Sequence, residues 1–76
     1  MKRSPPVYDI HYVVSRETDD PIQTRTTAES DLDSVIGSGI SQCHEVKRIY
    51  PTVIGFYIRD KASGDIVRRW YYDDHY

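Results

Sequence analysis

The alternation of apolar and polar side chains near the N-terminus predicts a half-buried strand over residues 7–15. Residues 22–26 are rich in Thr and follow a turn at Pro21, which favours a second strand paired back on the first. The two predicted faces of the first strand are Tyr8, Ile10, Tyr12 and Val14 on one side and Asp9, His11 and Val13 on the other.

The pattern then changes to a helical period. Thr26 followed three residues later by Glu29 has the form of a capping box, which predicts that a helix begins at Thr26. Apolar residues at 28, 32, 35 and 36 form one stripe of that helix. Gly37 and Gly39 are predicted to end it after Ile36, because glycine favours helix C-termini.

Three more strands are predicted, over residues 45–50, 53–60 and 66–72, with Gly64 at positive φ in the turn between the last two. The predicted fold is therefore α+β: a single domain of order β-β-α-β-β-β, with a mostly antiparallel sheet of four to five strands and one helix packed on one face. Residues 1–6, with Pro5 and Pro6, are interpreted as a flexible arm before the domain of residues 7–76.

Composition limits the classes of function. The chain has 76 residues, a formal net charge of -2 and one cysteine, which excludes an intrachain disulfide. A domain of this size has little volume for a deep pocket. We expect a cytoplasmic protein with no membrane segment, because no apolar run approaches the roughly 20 residues that span a bilayer.

No arrangement of residues indicates catalysis or a metal. Cys43 and His44 are adjacent, and on the predicted extended chain they point to opposite faces, which indicates a buried thiol beside a surface histidine. His11, His44 and His75 lack the spacing of metal ligands. Asp9 and His11 share a strand face, which fits an acid–base pair of a small nuclease or, more simply, a solvated face. We predict no catalytic residue, no metal and no cofactor.

Charge is distributed unevenly along the chain. Residues 1–44 carry four basic and seven acidic side chains, whereas residues 45–69 carry six basic and three acidic ones. Aromatic residues are interleaved with the second set, a combination that binds single-stranded nucleic acid by phosphate contacts and stacking, although cations also simply keep edge strands soluble. The predicted partner-binding residues are Lys47, Arg48, Arg59, Lys61, Arg69 and Tyr71.

The two faces of the last predicted strand are expected to have different environments. Alternation places Ile66 and Trp70 on one face and Arg69 and Tyr71 on the other. We predict that Ile66 and Trp70 pack inward and that Arg69 and Tyr71 face a partner, because Arg and Tyr are enriched at interface hot spots. The alternative is that these aromatic rings complete a small core.

The layout from Tyr8 to Tyr72 resembles the small anti-CRISPR proteins of phages and other mobile elements. The similarity covers the opening strand, the capped helix at residues 26–36, the Val46-Lys47-Arg48-Ile49 segment and the closing hairpin with Gly64 and Trp70. The resemblance implies a non-enzymatic inhibitor, acting in the host cytoplasm, that docks on a CRISPR effector. The basic sheet would contact acidic effector surface or guide RNA, or the acidic helix would mimic phosphates in a nucleic-acid channel.

Two functions are therefore expected from the sequence. The first is a non-enzymatic viral or mobile-element inhibitor that occludes a host defence complex, either protein or ribonucleoprotein. The second is a small nucleic-acid-binding module that uses the basic, aromatic sheet face.

Overall fold

The computed structural model describes residues 7–18, 20–27 and 30–74. The described elements are strand β1 (Tyr8–Val13), strand β2 (Gln23–Thr27), helix α1 (Leu32–Ile49), strand β3 (Gly55–Asp60), strand β4 (Ile66–Tyr71) and a short 3-10 turn (Tyr72–Asp74). The predicted arm at residues 1–6 lies outside these residues. The predicted α+β class is confirmed, with one helix and four strands in the described part of the chain.

The sheet is antiparallel throughout, in the order β2-β1-β3-β4. Each predicted hairpin forms: β1 pairs with β2, and β3 pairs with β4. The turn of the second hairpin contains Gly64 at φ 76°, as the sequence predicts. The two hairpins are joined by β1 and β3, which become the central strands.

The predicted third strand at residues 45–50 is wrong, because residues 45–49 belong to α1 and Tyr50 is its C-cap. The buried positions of the helix are Val35, Gly39, Cys43 and Val46, which are three or four residues apart and so share one helical stripe. Helix-ending preferences of glycine are outweighed here by burial of that stripe against the sheet.

The predicted helix start is also wrong. Thr26 lies in β2, where its hydroxyl donates to the Asp9 carboxylate at 2.8 Å. The N-cap is Asp31, whose carboxylate accepts from the Ser34 amide at 3.1 Å. Glu29, the other member of the predicted capping box, lies outside the described residues.

The new cap gives a direct test. Asp31→Ala is expected to lower the free energy of unfolding by about 1 kcal/mol, because it removes the acceptor for an otherwise unsatisfied backbone amide. Asp31→Asn retains an acceptor and is the matched control, with a smaller loss. Chemical denaturation followed by circular dichroism measures both. A larger loss for Thr26→Ala than for Asp31→Ala would contradict the assigned cap.

The core lies between α1 and the two central strands. Ile10, Tyr12, Phe56 and Ile58 supply the sheet side, all without exposed surface. Trp70 packs inward as predicted, with 8% exposure and its ring stacked on Phe56 at a centroid distance of 5.3 Å. The Tyr12 hydroxyl donates to the Gly39 carbonyl at 3.1 Å, and burial raises the pKa of this phenol.

A register shift between Ile58 and Arg59 alters the end of the second hairpin. Ile58 pairs with Arg68, but Arg59 pairs with Ile66, so the strict alternation of β4 is interrupted. Ile66 is half-buried and is not a member of the core cluster. The prediction that Ile66 packs inward beside Trp70 therefore holds for Trp70 and not for Ile66.

Candidate binding face of the sheet

One face of the sheet is covered by α1, and the other has no helix over it within the described residues. Successive strand residues point to opposite faces, so the neighbours of the core residues point away from the helix. We call this second surface the open face. Its members are Asp9, His11, Val13, Thr24, Thr26, Tyr57, Arg59, Arg69 and Tyr71.

The centre of the open face is a pair of rings on the two central strands. His11 lies directly opposite Tyr57 in the β1–β3 register, and their rings stack at a centroid distance of 4.8 Å with an interplanar angle of 23°. Tyr57 is only 2% exposed, although it lies on the side away from the helix. The side of the sheet away from the helix therefore also contains a buried aromatic ring.

Two arginines lie over the same tyrosine. The guanidinium carbon of Arg59 is 5.6 Å from the Tyr57 ring centroid, and that of Arg69 is 5.7 Å from it. Both are within the range of a cation–π contact, which contributes about 0.5–1 kcal/mol at exposed sites and about 2 kcal/mol or more where the pair is desolvated. The four side chains form what we call the ring cluster: His11, Tyr57, Arg59 and Arg69.

Two buried polar atoms of the ring cluster lack a hydrogen-bond partner in the described structure. They are His11 Nε2 and Arg59 Nε. The other imidazole nitrogen, Nδ1, shares a hydrogen bond of 2.9 Å with the Thr24 hydroxyl. Either tautomer of His11 leaves Nε2 unsatisfied, as a bare acceptor or as a donor, and such groups cost about 1–3 kcal/mol each.

The surroundings of His11 disfavour its charged form. Burial lowers the pKa of this imidazole below its usual value, the Asp9 carboxylate acts in the opposite direction, and the Arg59 guanidinium lowers the pKa further. Asp9 accepts a hydrogen bond from Thr26 at 2.8 Å. The imidazole is therefore neutral at neutral pH, and an added anion would favour its protonation.

The margin of the open face is formed by Tyr71. The guanidinium of Arg16 lies 4.1 Å from the Tyr71 ring centroid and forms an ion pair of 2.7 Å with Asp74. Tyr71 is half-buried as a result. It lies on the predicted face, but Arg16 covers part of its ring.

The six predicted partner-binding residues do not form one surface. Arg59, Arg69 and Tyr71 lie together on the open face, and Lys61 is exposed in the turn after β3. Lys47 and Arg48 lie in the last turn of α1, because residues 45–49 are helical. Their placement in a basic sheet was therefore wrong.

Lys47 has a structural contact of its own. Its ammonium group donates to the Val53 carbonyl at 2.8 Å and lies 5.0 Å from the Tyr72 ring centroid. Arg48 is exposed on the helix, whose exposed residues also include Asp33 and Glu45. The exposed side of α1 thus carries charges of both signs.

His11 was missed as a member of the candidate site. The alternating pattern of β1 already placed it opposite the core face, beside Asp9. What the pattern lacked was the pairing of β1 with β3, which brings His11 next to Tyr57.

Asp9 and His11 share the open face, as predicted, whereas Cys43 and His44 do not share a site. Cys43 is fully buried in the core, and burial raises the pKa of its thiol. His44 is exposed, and its ring meets Tyr72 edge-on at 5.9 Å. The predicted buried thiol beside a surface histidine is confirmed, although the pair lies on a helix and not on a strand.

A metal centre is not seen in the described ranges, where no group of three or more His, Cys, Asp or Glu side chains is placed to hold an ion. His75, considered from the sequence, lies outside those ranges. Within the same part of the chain, the one long helix is too polar to cross a bilayer.

Comparison with known proteins identifies no relative: no protein-family model, curated protein or solved structure matches the chain. The open face is consequently interpreted from its own chemistry.

Proposed function

We propose that the protein is a non-enzymatic, cytoplasmic module that binds single-stranded nucleic acid through the open face. The observation that carries the proposal is the ring cluster, in which two stacked rings on adjacent central strands are flanked by two guanidinium groups. Proteins bind single strands by this combination, with cations on phosphates and bases stacked on aromatic rings.

The chemistry of the two arginines supports this function. A guanidinium group forms charge-assisted hydrogen bonds with phosphate oxygens that are roughly twice as strong as neutral ones, so a phosphate competes with the cation–π contacts of Arg59 and Arg69. Movement of Arg59 and Arg69 toward phosphates would take their guanidinium groups off the Tyr57 ring. Charge contacts and base stacking would then use neighbouring groups of the same cluster.

The overall acidity of the chain limits where binding occurs. With a net charge of -2, the protein as a whole does not attract a polyanion. Binding must then depend on a few cations at one place. For two phosphate contacts we expect log Kd to change with log salt with a slope of about 1.4, at about 0.7 per contact on single strands.

The charge reversal Arg69→Glu tests this proposal. It is expected to weaken binding of a fluorescein-labelled, mixed-sequence single-stranded DNA at least about tenfold, which is about 1.4 kcal/mol, as measured by fluorescence anisotropy. The variant should remain folded, because Arg69 is exposed on an edge strand and is not a member of the core cluster; a melting curve checks this.

The matched control is Arg48→Glu. It makes the same change of charge at an exposed position on α1, away from the open face. It should bind nearly as well as the unaltered protein. Equal losses for the two variants would mean that binding follows net charge and not the ring cluster, and would contradict the proposal.

The second candidate is the inhibitor that the sequence resemblance implies, in which the open face occludes a host protein complex. The outward position of Arg69 beside Tyr71 favours it, because these residue types are enriched in interface centres. Affinity capture from a bacterial lysate separates the two functions. Capture that survives nuclease and is lost in Arg69→Glu supports the inhibitor, whereas capture lost on nuclease treatment supports nucleic-acid binding.

A further inference from the structure

The two residues that carry the unpartnered buried atoms of the ring cluster are neighbours in the sheet. Asp9 pairs with Arg59 and His11 pairs with Tyr57, so His11 and Arg59 are diagonal neighbours on adjacent strands. Cβ atoms of diagonal neighbours are about 7 Å apart, so the two side chains can contact one small ligand between them. The positive charge of Arg59 also acts on the His11 imidazole and lowers its pKa.

Both atoms can donate a hydrogen bond to an acceptor oxygen of a ligand. Arg59 Nε carries a hydrogen and can only donate, and His11 Nε2 donates when the imidazole is protonated. A group with several acceptor oxygens and negative charge satisfies both atoms at once. A tetrahedral phosphate has this chemistry, and arginine holds it with paired N–H groups.

We propose that His11 and Arg59 form a phosphate subsite, in which one anionic oxygen accepts from His11 Nε2 and another from the Arg59 guanidinium. The inference rests on the proposed function in one respect: the phosphate is taken to be a backbone phosphodiester of the bound strand. Binding then draws a proton onto His11, while Nδ1–H donates to the Thr24 hydroxyl.

The charged and titratable groups around His11 fix the direction of this proton linkage. Asp9 lies on the same strand, Tyr57 and Arg59 lie on β3, and Arg69 approaches from β4, whereas β2 contributes the neutral Thr24. Burial and Arg59 keep the pKa of free His11 below its usual value, and a bound phosphate raises it. Between the free and bound pKa values, affinity rises as the pH falls; above the bound value, it is independent of pH.

The first experiment measures the imidazole directly in the unaltered protein. His11 is titrated by NMR alone, with inorganic pyrophosphate and with a single-stranded oligonucleotide. The subsite predicts that both ligands raise the pKa of His11, while the NMR signals of the exposed His44 on α1 do not respond to either ligand. Pyrophosphate tests the shared phosphate chemistry, and the oligonucleotide tests the phosphodiester source.

The second experiment measures affinity for the labelled oligonucleotide from about pH 8 to about pH 5.5, the range in which histidine titrates. Uptake of one proton allows at most about a tenfold gain per pH unit. His11→Gln should remove the pH dependence, and the matched control His44→Gln should retain it. Melting temperatures establish whether each variant is folded.

The outcomes separate this inference from the proposed function. A pKa of His11 that rises with pyrophosphate, without any binding of the oligonucleotide, supports the subsite and overturns the proposed function. Oligonucleotide binding that is independent of pH and leaves the pKa of His11 unchanged overturns the subsite and supports the proposed function. Absence of binding by either ligand overturns both.

Discussion

Replacing Phe56 with alanine is expected to lower the free energy of unfolding by about 3–5 kcal/mol. Phe56 has no exposed surface, its ring stacks on Trp70 at 5.3 Å, and it meets Tyr12 edge-on at 5.7 Å. The truncation removes these contacts and leaves a cavity between helix and sheet. Because a small domain has a total stability of about 5 kcal/mol, much of the variant would be unfolded.

Urea denaturation followed by the fluorescence of Trp70 measures this loss. Val67→Ala is the control, since it removes apolar atoms from an edge strand at a position that is 40% exposed. The control should stay within about 0.5 kcal/mol of the unaltered protein. A Phe56→Ala midpoint close to that of the control would contradict the packing of Phe56 at the centre of the core.

Two glycines of α1 are expected to respond to alanine with opposite signs. A Cβ added at Gly39 would lie 2.7 Å from two carbons of the Phe56 ring, whereas one at Gly37 would meet no atom within 4 Å. Gly39→Ala is therefore expected to lower the free energy of unfolding by about 1–3 kcal/mol through overpacking, although alanine has the better helix propensity. Gly37→Ala should raise the free energy of unfolding by about 0.5–1 kcal/mol, because the higher helix propensity of alanine acts there without a clash.

Both changes are measured as shifts of the urea midpoint against the unaltered protein. A double-mutant cycle identifies the cause: Phe56→Leu makes room beside Gly39, so the two losses should not add. Stabilisation by alanine at both positions would show that the helix does not approach the sheet closely at Gly39.

Much of the fold could be predicted from local pattern. The alternation at Tyr8–Val13 identifies a strand by a period that no helix shares. The strand at Gly55–Asp60 is a short apolar run followed by polar residues, and Gly64 marks the turn of its hairpin. The helix could not be bounded in this way. The sequence pattern predicts a helix end at Gly39, but Gly39 is a core position where the absence of a side chain allows the helix to approach Phe56.

The error at the helix end also explains the error in the next segment. With the helix predicted to end at Ile36, Val46 and Ile49 are assigned to a separate strand, because a short apolar pattern fits a strand or a helix equally well. In the structure Val46 extends the stripe begun by Val35, and Ile49 is 63% exposed.

The candidate site was predictable only where alternation decides it. Arg69 and Tyr71 fall opposite Trp70 in any strand, so their shared face follows from the sequence alone. The contact between His11 and Tyr57 requires the β1–β3 register, which joins distant parts of the chain and has no local signal. Lys47 and Arg48 do not lie on the predicted surface, because the segment that contains them is helical and is not a strand of the sheet.

The sheet order also sets the sequence of events by which the chain reaches this structure. Each hairpin is local and can form early, but the β1–β3 ladder pairs Tyr8 with Asp60, near opposite ends of the chain. Such long-range closure is slow, because the intervening chain loses its freedom before the contacts form. The ring cluster includes residues of both β1 and β3, so neither hairpin alone contains it. A ligand of the open face would then recognise only molecules in which the late step is complete, and would slow their unfolding.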